Sequence, residues 1–148
     1  MYTEYAGVPM KEVFYGWIDN VKPYVAEQLG SAAFFGNGKG DFKMNVLPDD
    51  LQLAPVFSFQ QVETGIATSL IAGGNFFDVI PYEGRYDAQT LGVFSIDKQN
   101  QVQVKAQPSL SALKGQVRDI KWIHNARYGK IMMVARNNAP LLFFKQND

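Results

Sequence analysis

The chain has 148 residues, of which 47% are hydrophobic, and its 14 basic residues balance its 14 acidic ones, so the formal net charge is zero. This length and composition predict a single globular domain over residues 1–148. A neutral chain without a basic run argues against a nucleic-acid partner, because phosphate binding needs a basic face. Because the sequence contains no cysteine, it excludes disulfides, thiol catalysis and thiolate metal sites.

The first thirty residues have a helical pattern. Hydrophobic residues recur at intervals of three and four over residues 13–29, which is the rhythm of an α-helix. A glycine and a proline interrupt the pattern, so we expect two short helical pieces, the second beginning near Asp19 or Asn20 and ending before Gly30. A strand over residues 24–35 is the alternative. Either way, residues 1–30 are expected to form an N-terminal helical or irregular cap.

No segment predicts a membrane span or a leader. The longest apolar runs, such as residues 131–135, are far shorter than the roughly 20 residues that cross a bilayer. The first residues, MYTEYAGVPMKEV, have neither a positively charged start nor an apolar core. We therefore expect no membrane-spanning segment and no signal peptide in this chain.

From residue 31 onward the sequence is typical of β structure. Short runs rich in Val, Ile, Phe and Tyr are separated by Gly, Asn, Asp and Pro. Residues 36–41 (GNGKGD) predict a hairpin turn, because Asn and Gly accept the positive φ angles that such turns need. Residues 97–100, sixty residues later, occupy the position equivalent to this turn between two apolar runs.

The strand-rich part contains one internal repeat. Residues 56–75 and 118–138 share two apolar runs, a polar turn between them and a small-polar ending, at a spacing of 63 residues that places Asn75 on Asn138. A third apolar run follows each unit. A supersecondary unit that recurs at such a period is typical of a propeller or solenoid, in which neighbouring units bury each other's faces.

The predicted fold class is therefore mainly β, a partial β-propeller of about two four-stranded, antiparallel, blade-like units with a short N-terminal helical segment. Residues 31–148 carry the end of one unit, one complete unit and most of another. A closed propeller needs at least four blades of about 40 residues. We expect a fragment of a longer ring, self-association through blade edges, or an incomplete ring capped by residues 1–30, since unpaired strand edges attract partners.

Several short motifs carry a family resemblance. They are FFGNGKGDF at 34–42, LPDDLQLAPV at 47–56, the AGGN ending at Asn75, GRYDA at 84–88 and QVRDI at 116–120. In order and spacing these motifs resemble the C-terminal part of the FG-GAP/VCBS repeat proteins of the type associated with the ASPIC/UnbV domain. The resemblance implies a β-propeller, an extracellular, cell-surface or periplasmic location, and a binding or scaffolding role rather than catalysis.

The resemblance does not extend to calcium binding. The family commonly holds calcium in an Asp-x-Asp/Asn-x-Asp-Gly loop, where closely spaced oxygen ligands surround the cation. The corresponding segments here, residues 60–65 and 124–130, hold one glutamate in the first and two cations in the second. We therefore predict no metal at either segment and no cofactor.

Catalytic signals are weak. His124 is the only histidine, and no Gly-x-Ser-x-Gly elbow is present, so we expect a solvated turn histidine. Asp49 and Asp50 follow a proline and are typical of a turn. A glycosidase needs only two carboxylates, so a polysaccharide-acting enzyme or its accessory domain, using Asp/Glu chemistry, stays open as the alternative function.

The long connection over residues 75–90 is the best candidate site, because loops above about a dozen residues inside a compact repeat are often functional. It concentrates rings and charges that suit a protein or glycan ligand. The candidate ligand-binding residues are Phe76, Phe77, Tyr82, Glu83, Arg85, Tyr86 and Asp87.

A structural interpretation of this loop, which the GRYDA motif favours, has Phe77 and Tyr86 filling the interface between units while Arg85 pairs with Asp87. A second candidate group joins residues 136–138 to residues 118–119, either to bind a ligand or to satisfy exposed backbone. The function predicted is a non-catalytic module that binds a protein or glycan, or completes a larger propeller.

Overall fold

A computed structural model describes residues 2–63, 68–80, 82 and 84–145. The described residues contain nine strands, three four-residue α-helices and two 3₁₀ turns. The strands are β1 (Ala32–Gly36), β2 (Phe42–Val46), β3 (Val56–Glu63), β4 (Thr68–Gly74), β5 (Gly92–Ile96), β6 (Val102–Lys105), β7 (Gln116–Asn125), β8 (Gly129–Asn137) and β9 (Leu142–Lys145). The helices are α1 (Tyr2–Tyr5), α2 (Met10–Val13) and α3 (Pro108–Ser111), and the 3₁₀ turns are Ile18–Asn20 and Asp49–Leu51.

The strands form three antiparallel sheets in chain order. They are a hairpin of β1 and β2, a four-stranded meander β3-β4-β5-β6, and a three-stranded meander β7-β8-β9. The mainly β class is confirmed. The sheets have two, four and three strands, which matches the strand content expected for an end, a complete unit and most of another. In the described residues the sheets do not close into a ring, and the propeller stays a prediction.

The hairpin turns share one pattern of hydrogen bonds between a side chain and the backbone. The side-chain oxygens of Asn37 and Asp97 each accept hydrogen bonds from the backbone N–H groups two and four residues later, at 2.7 to 3.3 Å. Asn125 does the same for the N–H groups two and three residues later. Short Asx side chains mimic a backbone turn in this way. The turns predicted at 36–41 and 97–100 are confirmed, and the β7–β8 turn has the same kind of side-chain hydrogen bonds.

The repeat seen in the sequence is also a repeat of backbone geometry. Asn75 and Asn138, which the spacing of 63 residues superimposes, both have positive φ angles, 82° and 51°, just after β4 and β8. The first strand of each unit carries an irregularity in register, between Val56 and Ser58 in β3 and between Val117 and Asp119 in β7. Each unit therefore has a bulged first strand and a left-handed asparagine after its second strand.

The short N-terminal helical segment is confirmed by α1 and α2, but the second helical piece predicted from the pattern of residues 13–29 does not form. Only the 3₁₀ turn Ile18–Asn20 forms near the predicted start of the second helix, and residues 22–29 have no regular secondary structure. The alternative strand over residues 24–35 is wrong before Ala32. Helices are stabilised mostly by packing of an apolar face, and the apolar side chains of Tyr24 and Leu29 are instead exposed.

The four-stranded sheet lies at the centre of the fold, with a hydrophobic cluster on each face. Ile71 belongs to one cluster, shared with Val117, Ile120, Met132 and Val134 of the three-stranded sheet. The next residue, Ala72, belongs to the other, which includes Leu47, Leu51 and Phe94 and contacts Ala33 of the hairpin. Successive side chains of a strand point to opposite faces, so β4 joins both clusters and the three sheets stack in chain order.

Two consecutive glycines in β4 permit this close packing. A methyl group built on Gly73 would lie 2.6 Å from Cγ1 of Val117, and one built on Gly74 would overlap the carbonyl of Pro55. Neither glycine has a positive φ. A side chain is excluded at both positions by lack of space and not by backbone strain, as expected where one backbone passes close to another.

Gly74→Ala should lower the free energy of unfolding by about 1–3 kcal/mol, because the added methyl group has no space beside Pro55. Gly92→Ala is the matched control, since a methyl group there would make an ordinary contact with Leu51 at 3.6 Å. Urea unfolding followed by circular dichroism measures both. Equal effects of the two substitutions would contradict the packing argument.

The outermost sheet face of the hairpin is apolar and exposed. Phe34 and Met44 are cross-strand partners on this face, and Phe42 and Val46 flank Met44 on the same strand. Phe34 and Phe42 are 63% and 69% exposed. Large contiguous apolar patches usually mark contact sites.

We expect this face to drive self-association, so light scattering after size-exclusion chromatography should give more than the mass of one chain at high protein concentration. Phe34→Lys with Phe42→Lys should reduce the mass toward one chain. Tyr15→Lys with Tyr24→Lys removes rings of the N-terminal segment that are even more exposed and should leave the association intact. A wild-type chain that is monomeric at every concentration would refute the expectation.

Candidate functional site

The connection between β4 and β5 is anchored by one buried carboxamide. Asn75, at 1% exposure, donates from Nδ2 to the backbone oxygens of Gln89 at 2.7 Å and Gly115 at 3.0 Å. Its Oδ1 accepts from the backbone N–H of Gln89 at 2.9 Å, and its own N–H donates to the Pro55 carbonyl at 2.9 Å. The side chain therefore joins both ends of the loop to each other and to the segment before β7.

A second buried carboxamide ties the loop to the three-stranded sheet. Gln116, the first residue of β7, is buried. With its amide oriented so that the oxygen faces donors, it accepts from Nη2 of Arg118 at 3.3 Å and from the backbone N–H of Phe77. In the opposite orientation the oxygen instead accepts from Nδ2 of Asn137 at 2.6 Å. Either orientation gives this buried carboxamide a hydrogen-bond partner, as buried polar groups require.

A short backbone bridge shapes the loop itself. Phe76 and Tyr86 exchange hydrogen bonds in an antiparallel bridge, with N···O distances of 2.8 and 3.0 Å. The bridge places the two residues opposite each other at the base of the loop. Beyond it, Tyr82 is 85% exposed, and Tyr86 itself is 46% exposed.

Arg118 of β7 fills the space beneath the loop. Its guanidinium lies 4.3 Å from the ring centre of Phe57 and 5.8 Å from that of Phe76. Nη1 also donates to the backbone oxygen of Asn75 at 3.5 Å. The rings of Phe57 and Phe76 are 6.3 Å apart. Cation–π contacts of this kind contribute about 0.5–2 kcal/mol each, so Phe76 and Arg118 are part of the support of the loop.

The outer side of the loop borders an open cleft of about 480 Å³. Phe77, Arg85 and Asp87 line it from the loop, and Lys114 and Arg136 line it from the three-stranded sheet side. The Arg85 guanidinium lies 5.4 Å from the ring centre of Phe77. The cleft thus combines three cationic side chains, one carboxylate and one aromatic ring.

Arg136 is held in place by the backbone around the cleft. Its Nη1 donates to the carbonyl of Lys114 at 2.9 Å, and its Nη2 donates to that of Pro140 at 3.0 Å. Its side chain also packs against Gly115, which has a φ of 130° and leaves only 3.0 Å between an added methyl group and Cδ of Arg136. The prediction that this residue satisfies exposed backbone fits these two bonds.

The candidate loop residues separate into three groups. Phe77, Arg85 and Asp87 meet in the cleft, and Phe76 packs with Phe57 and Arg118 beneath the loop. Tyr82 and Tyr86 are the exposed rings. Glu83 lies outside the described residues.

The structural interpretation of the loop holds only in part. Phe77 is half-buried, whereas Tyr86 is 46% exposed. The salt bridges described for the chain are Lys11 with Asp19 and Lys121 with Asp119, and no described pair joins Arg85 to Asp87. Arg85 lies over an aromatic ring instead.

The other residues that the sequence analysis considered for binding or catalysis lie away from the cleft. Asp119 accepts from Ser58 Oγ at 3.2 Å and from the N–H of Ile120 at 2.9 Å, so it serves the contact between β3 and β7. His124 is exposed, but it lies on β7 opposite Lys130 rather than in the turn, which begins at Asn125. Among the described residues no group of three His, Asp or Glu side chains is placed to hold a metal.

Sequence reasoning missed Lys114, Gln89 and Gln116. Lys114 precedes β7 by two residues, and nothing in its neighbourhood marks it as close to residues 85–87. Gln89 and Gln116 are single polar residues beside apolar runs, a pattern that also describes many solvated positions. A polar residue at the border of a strand next to a long loop is the one signal that points to them.

Comparisons with protein-family models, curated proteins and solved structures find no match to this chain. In the described residues no helix is long and apolar enough to cross a membrane.

Asn75→Gly should loosen the loop, because it keeps the positive φ angle but removes three hydrogen bonds worth about 0.5–1.5 kcal/mol each. We expect the free energy of unfolding to fall by about 2–4 kcal/mol. Asn138→Gly is the matched control, because Asn138 has the equivalent backbone but is exposed, and it should change stability by less than about 0.5 kcal/mol. Thermal and urea unfolding compare the two, and similar losses would contradict the anchoring role of Asn75.

Proposed function

We propose that this protein is a non-catalytic binding module whose ligand is a glycan, bound at the face formed by the described residues of the loop, 75–80, 82 and 84–90, and by the adjoining cleft. The three stacked sheets serve as consecutive blades of a β-propeller, and the module belongs to an exported protein that acts at the cell surface, outside the cell or in the periplasm. The motifs that resemble the FG-GAP/VCBS repeat proteins support the propeller and the location.

The observation that carries the proposal is the contrast between the base and the tip of the loop. The base is fixed by Asn75, Gln116 and the Phe76–Tyr86 bridge. The tip leaves Tyr82 85% exposed. An exposed ring above a fixed base offers contact area to a sugar face.

The contact between the first strands of the two repeat units supports the propeller. Ser58 of β3 accepts from the N–H of Ile120 at 3.0 Å, and Gln61 of β3 accepts from Nε1 of Trp122 at 2.7 Å. Equivalent strands thus lie side by side along their length. A propeller brings its innermost strands together in this way around a central axis.

The enzyme alternative receives no comparable support. A glycosidase requires two carboxylates that face one concave site. In the described part of the cleft the carboxylate is that of Asp87, and its neighbours are the cations of Arg85, Lys114 and Arg136. Asp78 is exposed and does not line this cleft. A binding role fits this arrangement better than acid–base chemistry.

Tyr82→Ala with Tyr86→Ala should weaken glycan binding while leaving the melting temperature nearly unchanged, because both rings are exposed. Biolayer interferometry on immobilised xylan, cello-oligosaccharides, alginate and polygalacturonate measures the binding. We expect the wild-type protein to bind at least one of these glycans and the variant to bind it about tenfold more weakly, which is about 1.4 kcal/mol.

Tyr15→Ala with Tyr24→Ala is the control, since it removes two exposed rings from the N-terminal segment. It should retain wild-type affinity. No binding to any of the four glycans, or an equal loss in the control, would refute the proposed function.

A further inference from the structure

We propose that the cleft beside the loop binds the carboxylate groups of an acidic, uronate-containing glycan. This inference rests on the proposed function and names the chemical class of its ligand. The protein has no net charge, yet Arg85, Lys114 and Arg136 line the same cleft with only Asp87 as a carboxylate among its described lining. A local excess of positive charge of this kind raises the concentration of an anionic ligand at the site.

Within the described residues, no carboxylate forms an ion pair with Lys114 or Arg136. The two Nη atoms of Arg136 bond to backbone carbonyls, which are neutral groups. These contacts fix the guanidinium without cancelling its charge. The side chain therefore contributes a positive field to the cleft and does not depend on a ligand for its position.

Arg85 is the side chain suited to direct recognition. Its guanidinium carbon lies 5.4 Å from the ring centre of Phe77, which is within the distance of a cation–π contact. A guanidinium binds a carboxylate through two parallel hydrogen bonds. Lys114, which is exposed on the opposite wall of the cleft, supplies a second, more mobile charge.

The size and surroundings of the site favour a sugar acid over other anions. The cleft volume of about 480 Å³ is within the roughly 300–1,000 Å³ of small-ligand sites. No basic run continues along the sequence, as an extended nucleic-acid track would need. The exposed rings of Tyr82 and Tyr86 are on the same loop, and such rings provide apolar surface for the faces of neighbouring sugars.

Binding of polygalacturonate and of its methyl ester to the full chain provides the test, because esterification removes the carboxylate charge and keeps the sugar backbone. We expect the wild-type protein to bind the acid at least tenfold more tightly than the ester, with an affinity that falls as salt is raised. Lys114→Gln and Arg85→Gln should each weaken acid binding several-fold. Lys39→Gln, which removes an exposed charge from the β1–β2 turn, should have no effect, and melting temperatures confirm folding.

The outcomes separate the two proposals. Equal binding of acid and ester would overturn the carboxylate inference and leave the glycan-binding function standing. Equal or tighter binding of poly-L-glutamate would overturn the assignment to a glycan. If neither the acid, the ester nor any neutral glycan binds, the proposed function fails as well.

Discussion

The position of the loop depends on the side chain of Asn75. This residue is buried, has a positive φ angle and satisfies three backbone groups from two other segments. Leaving any of these groups unpaired inside the protein would cost about 1–3 kcal/mol. The base of the loop therefore cannot move away from the segment before β7 without losing several interactions at once.

The stacking of the sheets brings the other wall of the cleft to this loop. Ile71 and Ala72 bury opposite faces of the central sheet, and Gly73 lets Val117 of β7 approach β4 closely. As a consequence, Lys114, just before β7, and Arg136, near the end of β8, come to lie opposite the loop. The cleft is thus a product of packing between two sheets, with side chains from three separate parts of the chain.

This origin explains which features the sequence could predict. The strands and the turns at 36–41 and 97–100 are set by local patterns, so the sequence was sufficient to predict them. The positive φ of Asn75 and the Asx hydrogen bonds were seen only in the structure. The loop was recognised from its length and its rings. The proximity of Lys114 to the loop depends on the stacking of sheets, which no local pattern encodes, and the expected helix near Asp19 failed because its apolar face found no packing partner.

The same arrangement gives the cleft its electrostatic character. Backbone carbonyls position Arg136, and Arg85 lies near an aromatic ring, so both guanidinium groups have neutral partners. Like charges that share a cleft repel one another, and Asp87 offsets only part of this repulsion. A bound carboxylate would relieve the remainder without requiring the cations to reorient. Folding has already brought the cations together against their mutual repulsion. Binding a carboxylate ligand therefore does not include the free-energy cost of that placement.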